Sequence, residues 1–161
     1  MPGRDMDFEK ALLLLQALDD YKVDYILVGA LGMTVHGIVR ATQDVDLFVR
    51  PLEDNIASLR EALKSLFPED ESISEITAED LAGEYPAIQY NSPDGSLQID
   101  ILSRLGGAFS FEDLQFEEKY YEGVRVLVAT PETLYRMKKD TVRLQDRADA
   151  ETIKEIFNLQ G

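Results

Sequence analysis

The sequence predicts a mixed α/β fold, a small mixed β-sheet flanked by helices and finished by C-terminal helices. Three observations lead there. Apolar residues recur at three- and four-residue spacing near the start, in the middle and at the end of the chain; short β-prone runs lie between those stretches; and two pairs of such runs enclose hairpin turn chemistry.

In chain order, Phe8, Ala11, Leu12, Leu15 and Leu18 define an amphipathic helix over residues 6–21, with Asp5 or Asp7 near its N-cap. Residues 25–28 are a short apolar strand ending at Gly29, and residues 31–37 read as a short helix. Residues 44–49 alternate polar and apolar and then turn wholly apolar, as a mostly buried strand does, until Pro51 ends them. Ile56, Leu59, Leu63 and Leu66 mark a second amphipathic helix closed by Pro68. Residues 87–90 and 97–102 flank Asn91-Ser92-Pro93-Asp94-Gly95-Ser96, whose Pro and Asp-Gly predict a hairpin. Residues 116–121 and 124–128 form a second pair around Glu122-Gly123. Thr130 followed by Pro131 reads as an N-cap and a proline at the first helical position, opening helices over 131–142 and 146–158.

The chain has 161 residues, with 16 Lys+Arg against 31 Asp+Glu and a formal net charge of −15. Its 45% apolar content suffices for one core. No repeat or linker divides it, so residues 1–161 are expected to form one domain, 1–128 as its core and 129–161 as C-terminal helices. Without cysteine there is no disulfide framework, thiolate-bound zinc or thiol nucleophile, and the single histidine excludes a His-rich metal site. The apolar run at 11–15 is too short to span a bilayer and follows Asp5, Asp7 and Glu9, which argues against a membrane span or signal peptide and for a cytoplasmic protein. The densest acidic stretch, residues 69–84, holds seven acids and no base and reads as solvated surface.

Asp44 and Asp46 stand two apart on an expected strand, so their carboxylates leave the same face within reach of one divalent cation. Acids in an otherwise buried strand are costly unless paired or metal-bound, and no basic residue lies between Arg40 and Arg50 to pair with them. Asp100 repeats the pattern within Leu97-Gln98-Ile99-Asp100-Ile101-Leu102. Three carboxylates with no His or Cys make an all-oxygen site suited to Mg²⁺ or Mn²⁺.

Gly29, between a strand and a helix, lets a phosphate approach backbone N–H groups, although glycine also makes ordinary turns. The string Val28-Gly29-Ala30, then a short helix, then Arg40-x-Thr42-x-Asp44-Val45-Asp46-Leu47-Phe48-Val49 closely resembles the signature of the DNA polymerase β-like nucleotidyltransferase superfamily. His36-Gly37 with Arg40 and Thr42 is similar to a stretch of bacterial minimal nucleotidyltransferases and of AbiEii/AbiGii-type toxin proteins. Asp100 matches the third acidic position, and Lys138, Arg143, Asp146 and Asp149 resemble the C-terminal Lys, Arg and Asp-x-x-Asp spacing of AbiEii-like proteins. One departure is Ala30, where the superfamily has Gly or Ser: a serine hydroxyl contact is lost while the backbone N–H remains.

The resemblance implies a nucleotidyltransferase fold and transfer of a nucleoside monophosphate from an NTP to an acceptor hydroxyl. Asp44, Asp46 and Asp100 would be the catalytic and metal-binding residues, and Gly29, Ala30, Arg40, Thr42, Lys138 and Arg143 would hold the nucleotide. Lys138 and Arg143 can equally be solvated helix residues paired with Asp140 and Asp146. His36, beside a helix-ending glycine, reads as capping or packing more than as a general base, and Tyr120, Tyr121 and Tyr135 as packing more than as base stackers. By the same resemblance the acceptor would be a tRNA 3′ end or a tyrosine of a partner protein, and the setting a toxin–antitoxin pair with a toxin or antitoxin partner and no membrane. The alternative is a catalytically degenerate protein that keeps the fold and binds a partner.

Overall fold

The computed structural model describes residues 8–38, 44–82, 87–105, 109–138 and 144–159. Its elements are α1 (Phe8–Asp20), β1 (Tyr25–Val28), α2 (Gly29–Val35), β2 (Val45–Val49), α3 (Glu53–Leu66), α4 (Ala78–Ala82), β3 (Ala87–Asn91), β4 (Gln98–Leu102), β5 (Arg104–Leu105), β6 (Phe109–Ser110), β7 (Phe116–Tyr121), β8 (Val124–Ala129), α5 (Pro131–Lys138) and α6 (Leu144–Phe157). Both expected hairpins form, and Thr130 caps α5 by accepting the Thr133 N–H at 3.2 Å. The helix expected at 31–37 begins two residues earlier, because Gly29 at φ +71° turns the chain into it directly after β1. The N-cap expected from Asp5 or Asp7, and residues 139–143 between the last two helices, lie outside the described residues.

Six strands form one mixed sheet in the order β3-β4-β2-β1-β8-β7. β1 pairs antiparallel with β2 and parallel with β8, while β2 runs parallel to β4. Side chains alternate across the sheet and build two cores. On one face Tyr25, Leu27, Val45, Leu47, Val49, Ile99 and Ile101 pack with Leu14, Leu15 and Leu18 of α1 and Ile56, Leu59 and Leu63 of α3. On the other, Ile26, Val28 and Phe48 pack with Met33 of α2, Leu134 and Tyr135 of α5 and Ile153 of α6. Each fully buried Leu or Ile contributes about 1.5–3 kcal/mol relative to exposure, so α1 and α3 are held by their apolar stripes.

The acidic segment behaves only partly as its charge suggests. Glu69, Glu71, Glu75, Glu79 and Asp80 are exposed, yet Ile73, Ile76 and Leu81 are buried in the first core. The stretch folds as a 3₁₀ turn at Glu71–Glu75 followed by α4, strapping the core at the β3 end of the sheet. Asp70 holds it there by accepting the Ser72 N–H at 3.0 Å and the Tyr90 hydroxyl at 2.6 Å. A two-stranded ribbon, β5 with β6, has no counterpart in the sequence pattern, since strands of two residues leave no period to read. Among the described residues, no helix is long and apolar enough to cross a membrane.

Candidate active site

Strand register assembles the site. Val28 on β1 lies opposite Asp46 on β2, Asp46 opposite Asp100 on β4, and Asp100 opposite Gln89 on β3. One row across four strands thus joins the glycine turn after Val28 to two carboxylates and a carboxamide. Asp44 stands one residue before β2, two positions from Asp46 and on the same side. Each of Asp44, Asp46 and Asp100 offers a carboxylate oxygen, and these atoms all lie within 4.8 Å of one another, with each residue partly buried. That set can hold a divalent cation through oxygen donors alone. Burial, and then the charge of Asp100, push the Asp44 carboxyl above its usual range, as expected where carboxylates converge.

Gly29 is required twice over. Its φ of +71° is left-handed, and a Cβ at this position would stand 1.9 Å from Oδ2 and 2.8 Å from Cγ of Asp46. The glycine therefore leaves the space that the Asp46 carboxylate occupies, a role its spacing alone does not reveal. Ala30 follows in the first turn of α2, where its carbonyl accepts the Thr34 hydroxyl at 3.2 Å.

Gln89 is the member of the row that sequence reasoning missed. Its Nε2 donates to Oδ1 of Asp100 at 3.1 Å. A glutamine in an exposed strand carries no signal of its own; only the hairpin register places it beside an acid.

Of the residues expected to hold nucleotide, Gly29 borders the Asp46 carboxylate and Ala30 follows it in the chain. Arg40, Thr42 and Arg143 lie outside the described residues, as does the side chain of Lys138, the last residue of α5. His36 serves packing: its Nε2 lies 2.8 Å from the Ala129 carbonyl, its ring meets Phe157 edge-on at 5.7 Å, and burial lowers its pKa. Tyr135 is buried in the second core, Tyr121 meets Phe8 edge-on, and Tyr120 is 70% exposed on β7. Among the basic residues of the C-terminal third, Arg125 is bound to Asp19 at 2.5 Å and Glu118 at 2.8 Å. Lys119 lies 4.0 Å from Glu117.

Residues 13–154 match the sequence profile of a family described as nucleotidyl transferase AbiEii toxin, type IV toxin–antitoxin system. The chain belongs to this AbiEii family. It is accordingly a nucleotidyltransferase, an enzyme whose class of reaction moves a nucleoside monophosphate. No curated protein sequence matches it. Three solved structures share the AbiEii chain's fold at low sequence identity. The lincosamide antibiotic adenylyltransferase LnuA, with lincomycin bound, has a TM-score of 0.62 and 15% identity over 94% of this chain and 99% of its own. An antigenic nucleotidyltransferase-like protein of Paracoccidioides brasiliensis has a TM-score of 0.58 and 19% identity, covering 93% and 76%. A protein of Thermotoga maritima described as a nucleotidyltransferase has a TM-score of 0.57 and 14% identity, covering 94% and 92%.

Proposed function

We propose that this AbiEii-family chain transfers a nucleoside monophosphate from an NTP to an acceptor hydroxyl, a tRNA 3′ end or a protein tyrosine, as one component of a toxin–antitoxin pair. The observation that carries the reading is the convergence of Asp44, Asp46 and Asp100 within 4.8 Å beside the Gly29 turn that makes room for Asp46. Those carboxylates would hold Mg²⁺ or Mn²⁺. A divalent cation held there would supply charge that lowers the pKa of the acceptor hydroxyl and stabilises the leaving pyrophosphate.

The chain's own residues do the rest. Asp44 and Asp46 leave one side of β2 and face the triphosphate, with backbone N–H groups at Gly29 and Ala30 bordering it. Asp100, with its Oδ1 fixed by Gln89, is the acceptor-side ligand and takes the hydroxyl proton. Arg40, Lys138 and Arg143 neutralise phosphate charge in a protein whose net charge of −15 otherwise repels it, and Thr42 offers the nucleotide a neutral hydroxyl donor. Residues 1–161 act as one domain, 1–128 forming the catalytic core and 129–161 the helices that close it.

Calorimetry with Mn²⁺ and label transfer from α-³²P-NTP to total tRNA and to protein test the reading together. Asp46→Asn is expected to abolish Mn²⁺ binding, and Asp100→Ala to lower transfer by at least about 10²-fold, the scale of losing one strong electrostatic stabiliser. Unchanged Mn²⁺ affinity in Asp46→Asn would show that the metal binds elsewhere. No labelling of any acceptor by the wild type would favour a partner-binding module over an enzyme acting through this site.

A further inference from the structure

The two outer strands of the sheet are β3 and β7, and β3 is the one beside the carboxylate row. Antiparallel strands alternate between positions whose backbone groups bond to the neighbour and positions whose groups point away. The Ser92 N–H donates to the Leu97 carbonyl at 3.0 Å, so bonded positions continue at Tyr90 and Ile88, and Gln89 and Asn91 turn their N–H and C=O outward. Among the described residues, neither closes an outward backbone bond. Along this edge runs a groove of about 360 Å³, lined by Ser72, Glu75, Ile76, Asp80 and residues 88–91 of β3.

An open strand edge is a template for another strand, with main-chain bonds giving affinity and flanking side chains giving specificity. Here the flanks are Glu75 and Asp80, both exposed, in a segment of seven acids and no base. Such a rim repels a polyanion and attracts lysine or arginine. A strand added outside β3 would lie about 4.8 Å from it, and its residue opposite Gln89 would share the sheet face of Asp100. A tyrosine is longer than one strand spacing and reaches across Gln89 towards Asp100, whereas serine and threonine stop short.

We infer that the edge of β3 is the acceptor's docking site and that the acceptor is a polypeptide. An extended segment bearing lysine or arginine pairs with β3 and presents a tyrosine hydroxyl opposite Gln89. The inference rests on the nucleotidyl-transfer reading above. In the reaction the tyrosine oxygen bonds to the α-phosphorus of the NTP as the bond from that phosphorus to the oxygen bridging to the β-phosphate breaks. Pyrophosphate leaves, and the phenolic proton passes through the Asp100 carboxylate to solvent.

An array of extended, tyrosine-centred peptides with either Lys/Arg or Asp/Glu flanks, incubated with the full chain, Mn²⁺ and α-³²P-NTPs, tests it, with tRNA as the competing acceptor. Basic peptides are expected to take at least about 10-fold more label than acidic ones, and phenylalanine counterparts none. The double variant Glu75→Lys/Asp80→Lys is expected to erase that preference. Asn91→Pro, which removes an outward N–H and leaves the β3–β4 ladder intact, is expected to lower labelling of every peptide. Adding a basic peptide without NTP is expected to slow hydrogen exchange at the Gln89 and Asn91 amides. Labelling of tRNA that charge reversal leaves unchanged or raises would assign the acceptor to RNA and overturn the docking site, as would equal labelling of acidic and basic peptides or unaltered exchange. Metal-dependent NTP binding, measured in parallel, separates the two failures: if it is intact, only the docking inference falls; if it is absent, the transfer reading falls as well.

Discussion

The two hairpins of the sheet are built by similar turn chemistry and put to different use. In β7–β8 the turn is Glu122-Gly123, at φ of +50° and +81°, and the charged side chains are spent on one another. Arg125 ties β8 to Glu118 on β7 and to Asp19 at the end of α1. In β3–β4 the turn is closed by Asp94, whose Oδ1 accepts from the Ser96 N–H at 3.0 Å and the Ser96 hydroxyl at 2.6 Å, holding its pKa down to about 2. The polar side chains of this hairpin are aligned with a neighbouring acid: Asp100 lies opposite Asp46, and Gln89 opposite Asp100. Apolar residues of both hairpins, among them Tyr90, Ile99, Ile101, Val126 and Val128, pack in the first core. Register thus sets Asp100 of one hairpin beside a like charge and Arg125 of the other beside opposite charges.

The largest effect that would sharpen this contrast comes from Gly29. Gly29→Ala combines a left-handed φ with a Cβ that displaces Asp46. It is expected to cost about 1–3 kcal/mol of stability and to remove Mn²⁺ binding in calorimetry of the variant that still folds. Retained metal affinity would mean that Asp46 can bind from another rotamer, and that the glycine serves the turn alone.

A smaller loss is expected from Gln89→Leu. Removing a hydrogen-bond partner of a metal ligand typically costs about 10–100-fold in metal affinity, so Mn²⁺ affinity should fall by about 10-fold with the melting temperature nearly unchanged. Gln89→Glu should weaken transfer further, because it adds a fourth carboxylate to the cluster of Asp44, Asp46 and Asp100. If Gln89→Leu binds Mn²⁺ as the wild type does, the bond to Asp100 is incidental and the two hairpins differ less than their registers suggest.

The smallest effect belongs to the other hairpin. Arg125→Ala breaks two partly exposed ion pairs and is expected to lower the melting temperature only slightly, less still with added salt. Transfer activity, measured with the same labelled NTP, should not change. A large drop in activity would place Arg125 in substrate binding and dissolve the distinction between a structural and a functional hairpin.

Much of this was legible in order along the chain. The periodic stripes of α1 and α3, the Pro-Asp-Gly and Glu-Gly turns, and the Thr130-Pro131 helix start are local signals. Each depends on residues only a few positions apart, and each produced its element. The acids of the segment lie on the surface as their charge suggests, but charge hides a sparse apolar pattern: Ile73, Ile76 and Leu81 are too few and unevenly spaced to announce a strap, yet all three are buried. The start of α2 moved to Gly29 because a left-handed residue lets a helix begin without a linker.

By itself the sequence determined that Asp44, Asp46 and Asp100 are anomalous acids in apolar strands and that Gly29 precedes a short helix, in a spacing that resembles the nucleotidyltransferase signature. Those are statements about residue type and local period, which the chain carries explicitly. Only the tertiary structure decided that β2 and β4 lie parallel with Asp46 opposite Asp100, that Gly29 yields its side-chain space to Asp46, and that Gln89 bonds to Asp100 at the edge of the sheet. Each depends on strand order and register. The interactions that set these, burial of Leu47, Ile99 and Ile101 against the helices, join residues far apart in sequence, and burial is non-directional, rewarding apolar area without recording which strand lies beside which.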